Sequence, residues 1–120
     1  MLEWLGRLLR SMFGYRRMDV VERSPSRLQV KYGPTVTAFD RTSEHILRNS
    51  RLAGVFSAVQ HIELHRPTNQ DGPPTWFVTV HLTSARQVEV GQSWLEEEAS
   101  SVAAAISTIV NRPVRIGTIM

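Results

Sequence analysis

Apolar and polar residues alternate with period two along residues 76–82. Trp76, Val78, Val80 and Leu82 interleave with Phe77, Thr79 and His81, the pattern of a half-buried strand. Val88 and Val90 resume the alternation after a short turn. For them to share the apolar face, the hairpin pairs Leu82 with Val88 and Val80 with Val90 about the odd-length connection Ser84-Ala85-Arg86, because a one-residue slip sends every side chain to the other face. From Ser93 the period becomes helical. Leu95, Ala99, Val102, Ala103, Ile106, Ile109 and Val110 line one stripe, with Ser93 and Glu96 at the spacing of a capping box. Glu96, Glu97 and Glu98 complement the helix dipole. Asn111 is suited to a left-handed cap, and Pro113 prevents continuation of the helix. Residues 114–117 then read as a short edge strand.

Upstream, Leu28, Val30 and Tyr32 alternate with Arg27, Gln29 and Lys31, and Gly33-Pro34 marks a turn. Residues 35–39 are rich in β-branched side chains and predict a second strand. Asp40-Arg41-Thr42-Ser43 supplies turn chemistry. A third strand is expected over residues 44–49, and Asn49-Ser50 and Gly54 read as irregular. Phe56-Ser57-Ala58-Val59 leads into a fourth strand over residues 60–66, with Ile62 and Leu64 on one side and His61, Glu63 and His65 on the other. Residues 67–74 hold three prolines and read as an exposed loop.

Residues 1–13 follow a helical period. Leu2, Trp4, Leu5, Leu8, Leu9, Met12 and Phe13 fall within an arc of about 180°. Arg7 and Arg10 lie opposite, and Arg16 and Arg17 follow Gly14. A Trp/Phe/Leu face opposed by arginines suits packing on the domain or on a second subunit, and it also suits a membrane interface. Residues 15–26 read as a linker, with a short strand at residues 18–22. The expected organisation is an amphipathic helix over 1–14, that linker, and an α+β domain over 27–120.

Length and composition narrow the function. At 120 residues the chain forms one domain. With no cysteine, thiol catalysis, cysteine-ligated metals and disulfides are excluded. The longest apolar run, residues 102–106, falls far below the roughly 18 residues of a membrane span. Net charge is +3, and it is localised. Residues 1–31 carry seven bases and three acids (7 − 3 = +4), whereas residues 32–120 carry seven bases and eight acids (7 − 8 = −1). The balance argues against a general nucleic-acid-binding face on the domain and points to the N-terminal segment as the basic part, and nucleic acid is not an expected partner.

The order of elements resembles bacterial PH-like domain proteins over roughly residues 28–116. The residues that carry the resemblance are Phe39-Asp40-Arg41, Ile46, Phe56-Ser57-Ala58-Val59-Gln60-His61-Ile62-Glu63-Leu64, the hairpin over residues 76–90, and Glu98-Ala99, Ala103, Ile106 and Arg112-Pro113-Val114. These are small domains often found in membrane-associated proteins. The resemblance implies a strongly bent antiparallel sheet or half-open barrel closed at one end by the long helix. It implies no catalytic residue and no cofactor.

Two sets of residues stand out chemically. His61, Glu63 and His65, at i, i+2 and i+4, point to one side of a strand about 6–7 Å apart. If His65 pairs with Thr75, His61 lies opposite Thr79 and His81 is its diagonal neighbour. Three histidines and a carboxylate could bind a divalent metal; the plainer reading is a solvent-facing strand surface with ordinary polar residues. Phe77, on the same face, is a contact candidate unless another element covers it. Consecutive glutamates 96–98 diverge by about 100° per residue and do not converge on a substrate. Gly91 and Ser93 lack the second glycine of a nucleophile elbow, since Leu95 stands there.

The expectation is a non-enzymatic interaction or regulatory module. Its contacts would come from Trp4, Leu5, Arg7, Leu8, Leu9, Arg10, Met12, Phe13, Arg16, Arg17 and Phe77. A protein partner, a second copy or a membrane surface would receive them, and the location would be cytoplasmic or peripheral on the inner membrane face. The alternative is a small-ligand or divalent-metal-binding protein using His61, Glu63, His65 and His81.

Overall fold

A computed structural model describes residues 17–67 and 74–119. The amphipathic helix expected over residues 1–14 and nearly all of the proline-rich loop lie outside the described residues.

The described chain is α+β, mostly antiparallel sheet with one helix. The first sheet runs β1 (Met18–Arg23), β2 (Arg27–Tyr32), β3 (Thr35–Asp40), β4 (His45–Arg48) and β5 (Arg51–Val55) as neighbours in chain order. A single 3-10 turn, Phe56–Ala58, leads to the second sheet. That sheet holds β6 (Val59–Pro67), β7 (Trp76–Leu82), β8 (Gln87–Ser93) and β9 (Val114–Ile119), ordered β8-β7-β6-β9. Helix α1 (Glu96–Val110) connects β8 to β9. The two sheets do not close into a barrel.

Meander connections follow from local turn chemistry. Gly33 has φ 59° and stands first in the two-residue turn that pairs Tyr32 with Thr35, a hairpin geometry that glycine adopts without a Cβ clash. Asp40 Oδ1 accepts the backbone N–H groups of Thr42 at 2.9 Å and Ser43 at 3.2 Å. The segment read as irregular at Asn49-Ser50 is instead a tight hairpin. Both residues have positive φ, 50° and 68°, and Arg48 pairs with Arg51. Strand β5 has no counterpart in the sequence pattern, because without an Asn-Gly or Gly pair the primed turn leaves a weak signal. The short strand expected at residues 18–22 forms as β1.

The core is filled from both sheets and the helix. Phe39, Ile46, Val30, Ile62, Val78, Val80 and Ile106 are completely buried, and Leu28, Val90 and Val102 nearly so. Each such side chain contributes about 1.5–3 kcal/mol by leaving water. Helix α1 packs against β6, β7 and β2, spanning the two sheets. The sheets meet closely at Gly91, where a Cβ would come within 2.7 Å of Met18 Cγ and 2.9 Å of Tyr32 Cγ.

Two expectations about the helix change in detail. Helix α1 starts at Glu96 with Leu95 as N-cap, so Ser93 does not form a capping box. Ser93 pairs with Trp76 as the last residue of β8, and its Oγ accepts the Leu95 N–H at 3.0 Å. Leu95 is consequently exposed and leaves the apolar stripe, whereas Ala99, Val102, Ala103, Ile106, Ile109 and Val110 keep it. Asn111 adopts the left-handed cap.

The β7–β8 register is displaced by two residues. Val80 pairs with Val88, and Leu82 N–H donates to Arg86 O at 2.8 Å, so the loop is Thr83-Ser84-Ala85. The displacement is even, which keeps both valines inside. A bulge between Thr79 and Val78 then accommodates Val90 as an extra residue. The β6–β7 register shifts likewise: His65 pairs with Phe77, not Thr75, and His61 lies directly opposite His81. An eight-residue loop fixes parity poorly and register not at all.

The tail forms a longer strand than residues 114–117 and runs parallel to β6, with Glu63 beside Arg115. No helix among the described residues is long and apolar enough to cross a membrane.

Candidate functional site

Two surfaces combine unusual chemistry with defined geometry. The first is the outer face of β6 and β7. Period-two alternation places His61, Glu63 and His65 on one side of β6, and the observed register brings His81 across from His61. The imidazoles of His61 and His81 stack with centroids 4.6 Å apart and planes at 15°. Glu63 Oε1 lies 3.1 Å from His81 Nε2, a hydrogen bond, and 3.1 Å from His65 Nδ1. The His65 approach lacks hydrogen-bond alignment, so Nδ1 is buried without a partner. His65 stacks on Phe77 at 5.2 Å, which half-covers an aromatic expected as a contact residue.

The face is partly withdrawn from water. His61, Glu63, His65 and His81 are all half-buried, with His61 stacked on His81 and His65 on Phe77. Desolvation depresses the His61 pKa below its ordinary value of 6.5, and the neighbouring His81 and Arg115 push the same way; Glu63 opposes them. His61 therefore keeps its neutral, lone-pair-bearing form further into acid than a free histidine does. Potential ligand atoms of His61, Glu63 and His81 lie within 4.8 Å of one another. Three of the four metal-ligand candidates share that cluster; His65 lies outside it, with its Nδ1 3.1 Å from Glu63 Oε1. His45, the remaining histidine, is exposed on β4.

The second surface is a groove along the C-terminal half of α1. Arg23, Ser24, Pro25, Leu28, Arg41, Ala105, Thr108 and Ile109 surround a depression of about 540 Å³. It adjoins a second depression of about 280 Å³ that shares Arg41 and Ile109 and reaches Glu44, Phe56 and Arg112. The floor is apolar because Leu28, Ala105 and Ile109 are core-facing residues at the rim of the packed interior. The rim is cationic. Arg23 and Arg41 are exposed and form no ion pair among the described residues. Arg112 is held by donating from Nε to Val59 O at 3.0 Å. Glu44 is the one acid in the lining of either depression.

Of the expected contact residues, Trp4, Leu5, Arg7, Leu8, Leu9, Arg10, Met12, Phe13 and Arg16 lie outside the described residues. Arg17 is described and is engaged, with Nε 3.2 Å from Glu98 Oε2 and 3.6 Å from Asp19 Oδ1. The same Glu98 accepts the Met18 N–H at 3.0 Å, which ties the start of β1 to the first turn of α1. Sequence reasoning did not single out the groove residues. Their one local signal is an arginine at a strand end beside turn residues, as in Arg23-Ser24-Pro25 and Asp40-Arg41-Thr42.

A scan against protein-family models and searches of curated proteins and of solved structures return no match.

Proposed function

We propose that this chain is a non-enzymatic interaction module of PH-like architecture, a half-open barrel of two sheets with α1 closing one end, and that it docks an acidic, partly apolar segment of a protein partner in the α1 groove. The observation that carries this is the pairing of an apolar floor, Leu28, Ala105 and Ile109, with two unpaired rim cations, Arg23 and Arg41. Apolar contact supplies the attraction, and complementary charge selects the occupant and speeds encounter. A peptide alternating glutamate or aspartate with leucine or phenylalanine presents both features.

The test is amide NMR mapping of the full chain against such a peptide, alongside a peptide with lysine in place of each acid. Saturable shifts at Arg23, Leu28, Arg41 and Ile109 are expected with the acidic peptide only. Arg23→Glu combined with Arg41→Glu should weaken binding about tenfold or more. Absence of shifts, shifts remote from the groove, or recruitment to phosphatidylglycerol vesicles without peptide binding would each contradict the proposal.

A further inference from the structure

The geometry points to a divalent transition-metal site, of zinc(II) class, on the outer face of β6–β7, with His61, Glu63 and His81 as ligands and His65 as a positioning residue. It is a separate surface from the α1 groove and depends on no property of that groove.

Strand pairing brings the ligands together. His61 and Glu63 are two residues apart on β6 and share a face, and His81 occupies the cross-strand position beside them. Their candidate ligand atoms fall within 4.8 Å of one another. Metal–ligand bonds of about 2.0–2.2 Å bring tetrahedral ligands to about 3.3–3.6 Å apart, and the Glu63–His81 pair is already at 3.1 Å. The remaining adjustment falls on the imidazoles. With planes at 15° and centroids at 4.6 Å, the in-plane lone pairs of the two rings lie in nearly parallel, separate planes. Convergence on one ion requires one ring to turn about its terminal torsion, a soft coordinate in histidine. Binding therefore breaks the His61–His81 stack.

The polar groups are also poorly satisfied without a cation. Glu63 Oε1 faces nitrogens of two histidines but among the described residues is hydrogen-bonded only to His81. The His61 ring makes no hydrogen bond among the described residues, and its partner in contact is another imidazole. A divalent ion would take a lone pair from each of the three ligands, and a small turn of His65, whose Nδ1 already stands 3.1 Å from Glu63 Oε1, would let it donate to the carboxylate as an outer group that orients a ligand. Two imidazoles and one carboxylate favour borderline ions such as zinc, nickel or cobalt over calcium or magnesium. Three protein ligands leave a coordination position open.

One feature works against the cation and supplies a sharp test. Arg115 stands next to Glu63 on β9, so its charge raises the cost of a second cation nearby. Removing that charge should tighten binding, whereas a purely structural role for the face predicts no effect on metal at all.

Calorimetric titration of the tag-free full chain with zinc chloride tests the site. One zinc per chain is expected, unaffected by excess magnesium. His61→Ala and Glu63→Gln should abolish saturable binding, His45→Ala should leave it intact, and Arg115→Gln should strengthen it by about threefold or more. Circular dichroism of each variant checks folding, and the Arg115→Gln gain stands even if a ligand variant unfolds. No saturable zinc binding by the folded chain, binding that survives in a folded His61→Ala variant, or binding lost with His45→Ala would overturn the assignment.

Discussion

The histidine face and the α1 groove are built in opposite ways. The face comes from one hairpin: four side chains on two adjacent strands, placed by alternation and cross-strand register. The groove comes from distant segments, β1–β2, the end of β3 and the second half of α1, which meet only when the core is assembled. A site of the first kind can persist or vanish with one register, and its side chains carry little of the fold's stability. A site of the second kind is inseparable from the packing beneath it. The same strands show both behaviours: Ile62 and Val80 face inward with no exposure, while His61 and His81 face outward and cover each other.

That contrast can be broken by mutation. The largest effect is expected at Ile106, fully buried in α1 beside the groove floor. Ile106→Ala should lower unfolding free energy in urea by about 2–5 kcal/mol and erase the groove's peptide response. Thr37 runs the other way. It is completely buried on β3 and its Oγ1 has no hydrogen-bond partner. Thr37→Val should therefore leave stability unchanged or raise it by up to about 1 kcal/mol.

The smallest effect belongs to the outer face. In metal-free protein His61→Ala should change stability by no more than about 0.5 kcal/mol; a loss comparable to that of Ile106→Ala would make the face part of the core. NMR titration should place the His61 pKa below 6.5 in the folded chain. A depressed histidine leaves the unfolded chain binding more protons as pH falls through its ordinary value. Its contribution is therefore present above about 6.5 and declines below.

The two surfaces were also unequally legible. Period-two spacing was enough to put His61, Glu63 and His65 together, because alternation is local. It was not enough to place His81, since the loop over residues 67–74 leaves the register open; the two-residue shift turned a diagonal neighbour into a direct one. The alanine-rich stripe of α1 was readable for the same local reason, while Leu95 fell out of it once β8 claimed Ser93. Strand β5 escaped because Asn49 and Ser50 make a primed turn without the glycine that usually marks one. The groove had no pattern to find. Arg23, Arg41 and Ile109 acquire a relationship only through the packing of α1 across the first sheet.

The molecule carries two chemically distinct, spatially separate surfaces. Amide and histidine-ring NMR spectra of one sample, recorded first with zinc chloride and then with the acidic peptide, test this most directly. The predicted result is two non-overlapping sets of shifts: His61, Glu63 and His81 with zinc, and Arg23, Leu28, Arg41 and Ile109 with peptide. Shifts that coincide, or zinc perturbing His45 as strongly as His61, would contradict it.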